Sequence, residues 1–306
     1  MQPPIRIGTR DSELALCQAN RVKSLLEKEG AVVQLVPIKS EGDLDVKTPL
    51  YEMGVQGIFT RALDIALLNN RIDLAVHSFK DVPVKLAAGI IQAAVLKRDS
   101  PADLLVCKSS VNFLAQENYT ALIATSSIRR KAQWLHRYPN HRIENLRGNV
   151  NTRLEKLKTS AWDAAIFAKA GLERINKIPT NVIELDWMIP APAQGAIVVV
   201  ARIEDAKLLK QCHALNDCQT ELCTRLERQF LQTLLGGCST PISALAYVEN
   251  SEIIFKGNIM SPDGRQVANV NRRALLSESE SLGKLAANEM IAKGGEPILK
   301  LIQHDS

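Results

Sequence analysis

Apolar residues follow two rhythms through the first two thirds of the chain. Ile5 to Thr9, Val32 to Ile38, Ile72 to Val76 and Ile90 to Leu96 are strand-sized runs. Between them Leu14, Cys17, Gln18, Arg21, Val22 and Leu25, and then Phe59 to Leu68, fall at helical spacing, with Ser12 placed to cap the first helix. Residues 39 to 57 hold Gly42, Pro49, Gly54 and Gly57 without a period and read as a long mobile loop. Strand, helix, strand, helix, strand predicts a doubly wound α/β lobe. Lys97-Arg-Asp-Ser-Pro then breaks the composition and reads as a hinge. Beyond it the pattern repeats, with strands at Leu104 to Cys107, Ala121 to Ala124, Arg142 to Glu144 and Ala164 to Phe167, and helices near 128 to 137, 150 to 159 and 169 to 175. Pro190-Ala-Pro-Ala-Gln-Gly reads as a second crossing, and Ala196 to Arg202 as a buried strand returning to the first sheet.

From about residue 217 the rhythm changes. One long helix (Thr220 to Leu235) precedes alternating strands near 242 to 248, 252 to 259 and 266 to 273, then an amphipathic helix with Leu282, Leu285, Ala286 and Met290 and a short terminal one. Strands followed by helices predict a small α+β domain with a three-stranded antiparallel sheet. The expected division is 1–97 with 196–214, 102–191, and 217–306.

Composition narrows the function classes. Among 306 residues, 46% hydrophobic and 23% charged are ordinary for a globular protein, and no apolar run approaches the ~18 residues of a membrane span. Met1-Gln-Pro-Pro enters a strand without a basic and then apolar leader, so a cytoplasmic protein is expected. The formal charge of +5 hints at anionic partners, but with 4% aromatic residues and none interleaved with the arginine pairs, a nucleic-acid platform is disfavoured. Six cysteines form no Cys-x-x-Cys pair. Cys212, His213, Cys218 and Cys223 match no common zinc spacing, so free thiols and no metal are expected.

The candidate chemistry lies where strands end, which is where open α/β sheets bind ligands. After Ile72 to Val76 come His77, Ser78, Lys80 and Asp81, stopped by Pro83. Thr125, Ser126 and Ser127 offer hydroxyls and amides at a helix start, and Arg129 and Arg130 follow one turn in; adjacent arginines point about 100° apart, so only one need face the cleft. Arg147 precedes Gly148, Arg153 rides the next helix, and Arg174 follows Ala170-Gly-Leu. With Arg10, that makes seven cations at strand ends and helix starts, and Asp81 as the one prominent acid. Several carboxylates on one ligand suit such a lining, because a guanidinium grips a carboxylate through two bonds, and there is no Walker loop or dinucleotide fingerprint. Gly236-Gly-Cys238 sets a thiol where the backbone can approach another surface.

Taken together, Thr9-Arg10-x-Ser12-x-Leu14-Ala15, Gly42-Asp43, Ala75-Val-His-Ser-x-Lys-Asp-Val-Pro83, Thr125-Ser-Ser-x-Arg-Arg130, Leu146-Arg-Gly-Asn-Val-x-Thr-Arg153, Ala170-Gly-Leu172, Pro190-Ala-x-x-Gln-Gly195 and Leu235-Gly-Gly-Cys-x-x-Pro241 resemble the porphobilinogen deaminase family, in family order and over nearly the whole chain. The resemblance implies two periplasmic-binding-protein-like lobes with a hinge, a third domain, and a dipyrromethane cofactor held by a thioether to Cys238. It implies a monomeric transferase of haem biosynthesis that deaminates four porphobilinogen units and joins them head to tail, releasing hydroxymethylbilane and four ammonias. By the same resemblance Asp81 and Lys80 are catalytic. Arg129, Arg130, Ser78, Thr125, Ser126, Ser127, Arg147 and Asn149 hold the cofactor, and Arg10, Ser12, Arg153, Arg174 and Gln194 hold substrate. Each porphobilinogen carries an acetate and a propionate, so the growing chain brings the carboxylates that the arginines call for. Loss of ammonia leaves an azafulvenium cation, which Asp81 is expected to stabilise more than it acts as an acid.

Three departures from the family pattern stand out. Gln56 replaces a frequent lysine, with Arg61 as a compensating charge, Ser40-Glu41 replaces a more basic pair, and Cys17 replaces a frequent aromatic. Without the resemblance, the same two lobes suggest a non-catalytic binding protein for a polycarboxylate or oxyanion.

Overall fold

The computed structural model describes residues 3–39, 59–116, 118–234 and 240–304. The first lobe is built on β1 (Ile5–Thr9), β2 (Val33–Pro37), β3 (Leu74–Ser78), β4 (Ile90–Val95) and a strand from much later in the chain, β10 (Ile197–Arg202), in the order β2-β1-β3-β10-β4. The second is built on β5 (Asp103–Cys107), β6 (Leu122–Ala124), β7 (Arg142–Glu144), β8 (Ala164–Ala168) and β9 (Val182–Glu184), in the order β7-β6-β8-β5-β9. Each sheet thus has parallel strands plus one crossing strand that runs antiparallel to both neighbours, β10 in the first and β5 in the second. Apolar side chains bury both faces of each sheet, which is why these strands read as continuous apolar runs.

Helices α1 (Glu13–Lys28) and α2 (Arg61–Leu68) flank the first sheet, and α3 (Ile128–Arg137), α4 (Val150–Thr159) and α5 (Lys169–Arg174) the second. Ser12, Ser127 and Asn149 cap α1, α3 and α4 by accepting from the backbone N–H three residues on, which satisfies donors that a helix start leaves orphaned. After β10 come α6 (Ala206–His213) and α7 (Cys218–Thr233). The third unit then adds the antiparallel sheet β11 (Ile242–Glu249), β12 (Glu252–Met260) and β13 (Val267–Leu275), closed by α8 (Leu282–Met290) and α9 (Glu296–His304). Its core is centred on Leu226, Phe230, Phe255 and Met290.

Two expectations shift. The strand expected at Ile72 to Val76 runs from Leu74 to Ser78, because β10 pairs Val198 with His77 and Ile197 with Ser78 and so carries the ladder through the polar residues. The inward face of α1 is Ala15, Gln18, Ala19, Val22 and Leu26; of the expected stripe Gln18 and Val22 lie on it, while Leu14, Cys17, Arg21 and Leu25 are only partly buried. Gln18 anchors that face by donating to Ser78 Oγ at 2.8 Å.

The third unit grips both lobes and both crossings. Arg228 on α7 donates to the carbonyls of Val82 (2.8 Å) and Pro83 (2.6 Å) and lies over the Phe79 ring. Gln133 on α3 reaches Ser243 at 3.0 Å. The turn at Gly264 (φ +75°) presses on α3 so closely that a Cβ there would sit 2.4 Å from the Ala132 carbonyl. The fully buried Glu227 accepts from Arg98 of the first crossing (2.6 and 3.1 Å) and from the Ala193 N–H of the second (2.6 Å).

Candidate active site

The β3 strand ends in a single 3-10 turn, Phe79–Asp81. Phe79 is buried beneath it, so Lys80 and Asp81 are displayed at the carboxyl edge of the first sheet. The turn after β1 brings Arg10, whose guanidinium lies 4.5 Å from the Phe59 ring centroid. From the second lobe, α3 brings Arg129 and Arg130, the segment before α4 brings Arg147, and α4 brings Arg153. These groups act on one another electrostatically. Burial, then Arg130, push the Lys80 ammonium down to about 8, against the opposing pull of Asp81 and Asp103. Burial, then Arg130 and Arg147, push the Arg153 guanidinium down to about 10, with Asp81 opposing and Arg10 adding to the shift. Burial is the larger cause of both shifts, and the neighbouring guanidiniums add to it. His77 is buried and driven to about 4 by burial and Arg10, so it is a neutral imidazole near neutral pH.

The structure brings the sequence candidates together and also shows what occupies them. Arg129 and Arg130 both converge on the buried Asp103, at 2.7 Å each, so the expectation that only one need face inward gives way to a shared carboxylate. Burial opposes ionisation of Asp103, but the two guanidiniums hold it well below the usual carboxylate range. Arg174 is tied to Asp99 in the first crossing (2.8 Å) and to the Gly195 carbonyl in the second (2.6 Å). Arg21 of the first lobe shares that same Asp99. The seven cations are therefore not all available to a ligand. The view of Asp81 as the one prominent acid is corrected by Asp99 and Asp103, whose partners are distant in sequence.

Gln194 is almost fully buried, donating to Pro101 O (2.7 Å) and Asp103 Oδ1 (2.9 Å) and accepting from Lys80 Nζ (3.3 Å). Ser126 Oγ accepts from Leu146 N–H at 2.9 Å and so fastens the strand that leads to Arg147. Thr125 Oγ1 accepts from Ser127 N–H at 3.2 Å. Arg153 Nε donates to Gly148 O at 2.7 Å. Cys17 donates its thiol to the Arg174 carbonyl at 2.9 Å, and Arg61 is exposed on the first turn of α2. Cys238 with Gly236 and Gly237, the Gly42-Asp43 pair, Ser40-Glu41 and Gln56 lie outside the described residues. Sequence reasoning gave no site role to Gln18, Phe59, Asp99 or Asp103, whose partners lie far along the chain.

Residues 5–210 match the family model described as porphobilinogen deaminase, dipyromethane cofactor binding domain, and residues 221–292 match the porphobilinogen deaminase C-terminal domain. The chain belongs to the porphobilinogen deaminase family. Among family members, the porphobilinogen deaminase of Campylobacter curvus is 40% identical over 97% of this chain and 96% of its own length. That of Moorella thermoacetica is 38% identical over 99% and 97%, and the chloroplastic porphobilinogen deaminase of Oryza sativa subsp. japonica is 40% identical over 98% and 86%. Among solved structures, the Bordetella pertussis BvgS VFT2 domain resembles the chain over 72% of its length and 90% of that domain, at 10% identity and a TM-score of 0.43.

The cofactor of the porphobilinogen deaminase family, two linked pyrroles bearing four carboxylates, fits what the cleft offers. A guanidinium has five N–H donors. Arg130 spends three of them, on Asp103 and on Ile166 O, and Arg129 two, on Asp103 and Ile189 O. Arg129 Nε is buried without a hydrogen bond among the described residues. Donors remain on both for a second set of carboxylates.

Proposed function

We propose that this chain catalyses the family reaction as a hydroxymethylbilane synthase: four porphobilinogen molecules lose ammonia, join head to tail, and leave as the linear tetrapyrrole when water cleaves the product. The observation that carries this reading is the crowding of cations at facing sheet edges, Arg10, Arg130 and Arg147 acting on Arg153 and Arg130 on Lys80, with Asp81 opposing both shifts from the turn beside them. Asp103 is taken up by Arg129 and Arg130, and Asp81 is the acid suited to a developing positive charge. The dipyrromethane, bound through Cys238, supplies the pyrrole end on which the chain grows.

The residues divide the work. Arg129, Arg130 and Arg147, with Ser78, Thr125, Ser126, Ser127 and Asn149, hold the resident carboxylates, while Arg10, Ser12 and Arg153 orient the incoming unit, and Arg174 and Gln194 brace the site from the crossings through Asp99, Gly195 O, Asp103 and Lys80. Ser12, Ser127 and Asn149 are helix caps in the ligand-free chain, so their backbone neighbours offer the free amides of helix starts. Lys80 donates to a carboxylate, and Asp81 stabilises the cation left when ammonia departs and relays the protons of coupling. In this reading residues 1–97 and 196–214 form one domain, 102–191 the second and 217–306 the third, supported by the sheet to which each strand belongs. A cytoplasmic monomer is part of the same proposal.

The test is the intact mass of the purified chain under denaturing conditions, with any adduct mapped. The expected result is added mass equal to two porphobilinogen units less two ammonias, located on Cys238 and absent in Cys238→Ser, together with four ammonias released per tetrapyrrole. An unmodified chain that gains no adduct on incubation with porphobilinogen would overturn the reading in favour of a binding protein on the same scaffold.

A further inference from the structure

Asp103 heads β5 directly after the first crossing, with no side-chain exposure. Its Oδ1 accepts from Arg130 Nη2 (2.7 Å), Arg130 Nε (3.2 Å) and Gln194 Nε2 (2.9 Å), and its Oδ2 from Arg129 Nη2 (2.7 Å). Each arginine is pinned a second time by a backbone carbonyl, Ile189 O for Arg129 and Ile166 O for Arg130, both at 2.9 Å. Gln194 completes the set, since its Oε1 accepts from Lys80 Nζ at 3.3 Å. One buried carboxylate therefore joins α3, the second crossing and the turn after β3, pieces contributed by both lobes.

We propose that Asp103 is a positioning residue: it fixes Arg129 and Arg130 and, through Gln194, Lys80 as one preassembled set of cations, so that ligand carboxylates meet donors already oriented. The proposal rests on the reading of this cleft as the pyrrole-carboxylate site, and it adds a residue that never touches the ligand. Long flexible cations that a ligand has to immobilise cost affinity, and cations crowded without a counter-charge repel one another. Asp103 removes both penalties while leaving N–H donors on each arginine that the hydrogen bonds above do not use.

The test reads Lys80 directly. The groups facing it are Asp81 on its own turn, Gln194 from the second crossing, Arg129 and Arg130 from α3, and Asp103 from β5. Acetylation of Lys80 as a function of pH, followed by mass spectrometry of the full chain, should titrate near 8 in the wild type. In Asp103→Asn, with folding checked by circular dichroism and melting, the midpoint should fall by about one unit, because one of the two carboxylates holding it up is gone. KM for porphobilinogen should rise at least about tenfold, and Asp103→Glu should restore the midpoint.

An unchanged midpoint, or one that climbs toward 10.5 as Lys80 becomes exposed, would overturn the proposal, the latter marking a merely structural role. If Asp103→Asn does not fold, Gln194→Leu leaves both arginines on Asp103, removes the link from Asp103 to Lys80 together with the bond to Pro101 O, and should lower the same midpoint; no change there is equally fatal. A wild-type chain that titrates as expected but makes no tetrapyrrole would sink the proposed reaction and not the role of Asp103.

Discussion

Asp81 sits on a turn of three residues between a ladder-bonded strand and Val82, whose carbonyl is held by Arg228. Its carboxylate therefore has little freedom to move away from a positive charge formed beside it. At about 4 Å and an effective dielectric of about 20, that interaction is worth about 4 kcal/mol, or about a thousandfold in rate. Asp81→Asn should lower the single-turnover rate of ammonia release by that order, and retention of most of the rate would refute the electrostatic role. Lys80 gives a second prediction at this scale. Its value of about 8 lies below the ordinary 10.5, so between those values the folded chain holds fewer protons than the unfolded one. With respect to this group, stability should rise with pH across that window while attraction for anionic ligands falls. The expected outcome is a KM for porphobilinogen that climbs above pH 8 in the wild type and climbs less in Lys80→Met, measured from initial rates. The cations at strand ends were legible in the sequence because each sits beside a turn signal. Asp99 and Asp103 were not, because what makes them important is partners up to about ninety residues away, and no local pattern carries that.

At the scale of elements, α7 is the fastener. Its Glu227 also accepts from the Ala246 N–H at 2.7 Å, so one carboxylate serves α7, β11 and both crossings. Glu227→Ala would leave the partly buried Arg98 without its counter-charge, and removal of one partner of a buried pair typically costs about 3–5 kcal/mol. Chemical denaturation should show a loss of that size, and a change below 1 kcal/mol would mean the pair behaves as a surface one. Most elements were legible from apolar period alone, including the return of β10 and the three strands of the third unit. The errors fall where long-range pairing decides: His77 and Ser78 are strand residues only because β10 lies alongside them. Ala15, Ala19 and Leu26, outside the expected stripe of α1, are buried on its inward face. Three-residue β9 is too short to show a period, and it exists through its pairing with β5.

Over the whole molecule, the two lobes touch at more than the hinge. Glu13 at the start of α1 meets Lys177 and Asn151 of the second lobe, each at 2.6 Å. The crossings themselves are pressed together at Gly195, where φ is +88° and a Cβ would lie 2.7 Å from the Asp99 carbonyl and 2.8 Å from that of Ser100. Gly195→Ala should spread the crossings, since both the backbone conformation and the contact disfavour a side chain. A larger radius of gyration by small-angle X-ray scattering, with reduced turnover, is the expected result; a wild-type scattering curve would show that the hinge absorbs the methyl without opening. A chain with several apolar lobes is easy to recognise from its sequence. How closely its crossings approach is not, because that depends on the lobes being already assembled.

The placement of β10 also bears on how the chain is made. In the first sheet β4 bonds only to β10, and β10 lies between it and β3. The second sheet, by contrast, is complete within Asp103–Glu184. A ribosome delivers the N-terminus first, yet the earliest lobe to emerge cannot finish until residue 202 has followed, while the later lobe already has every strand it needs. During synthesis, then, the second lobe matures first, and β4 waits with an unpaired edge, the kind of edge that invites aggregation or a chaperone.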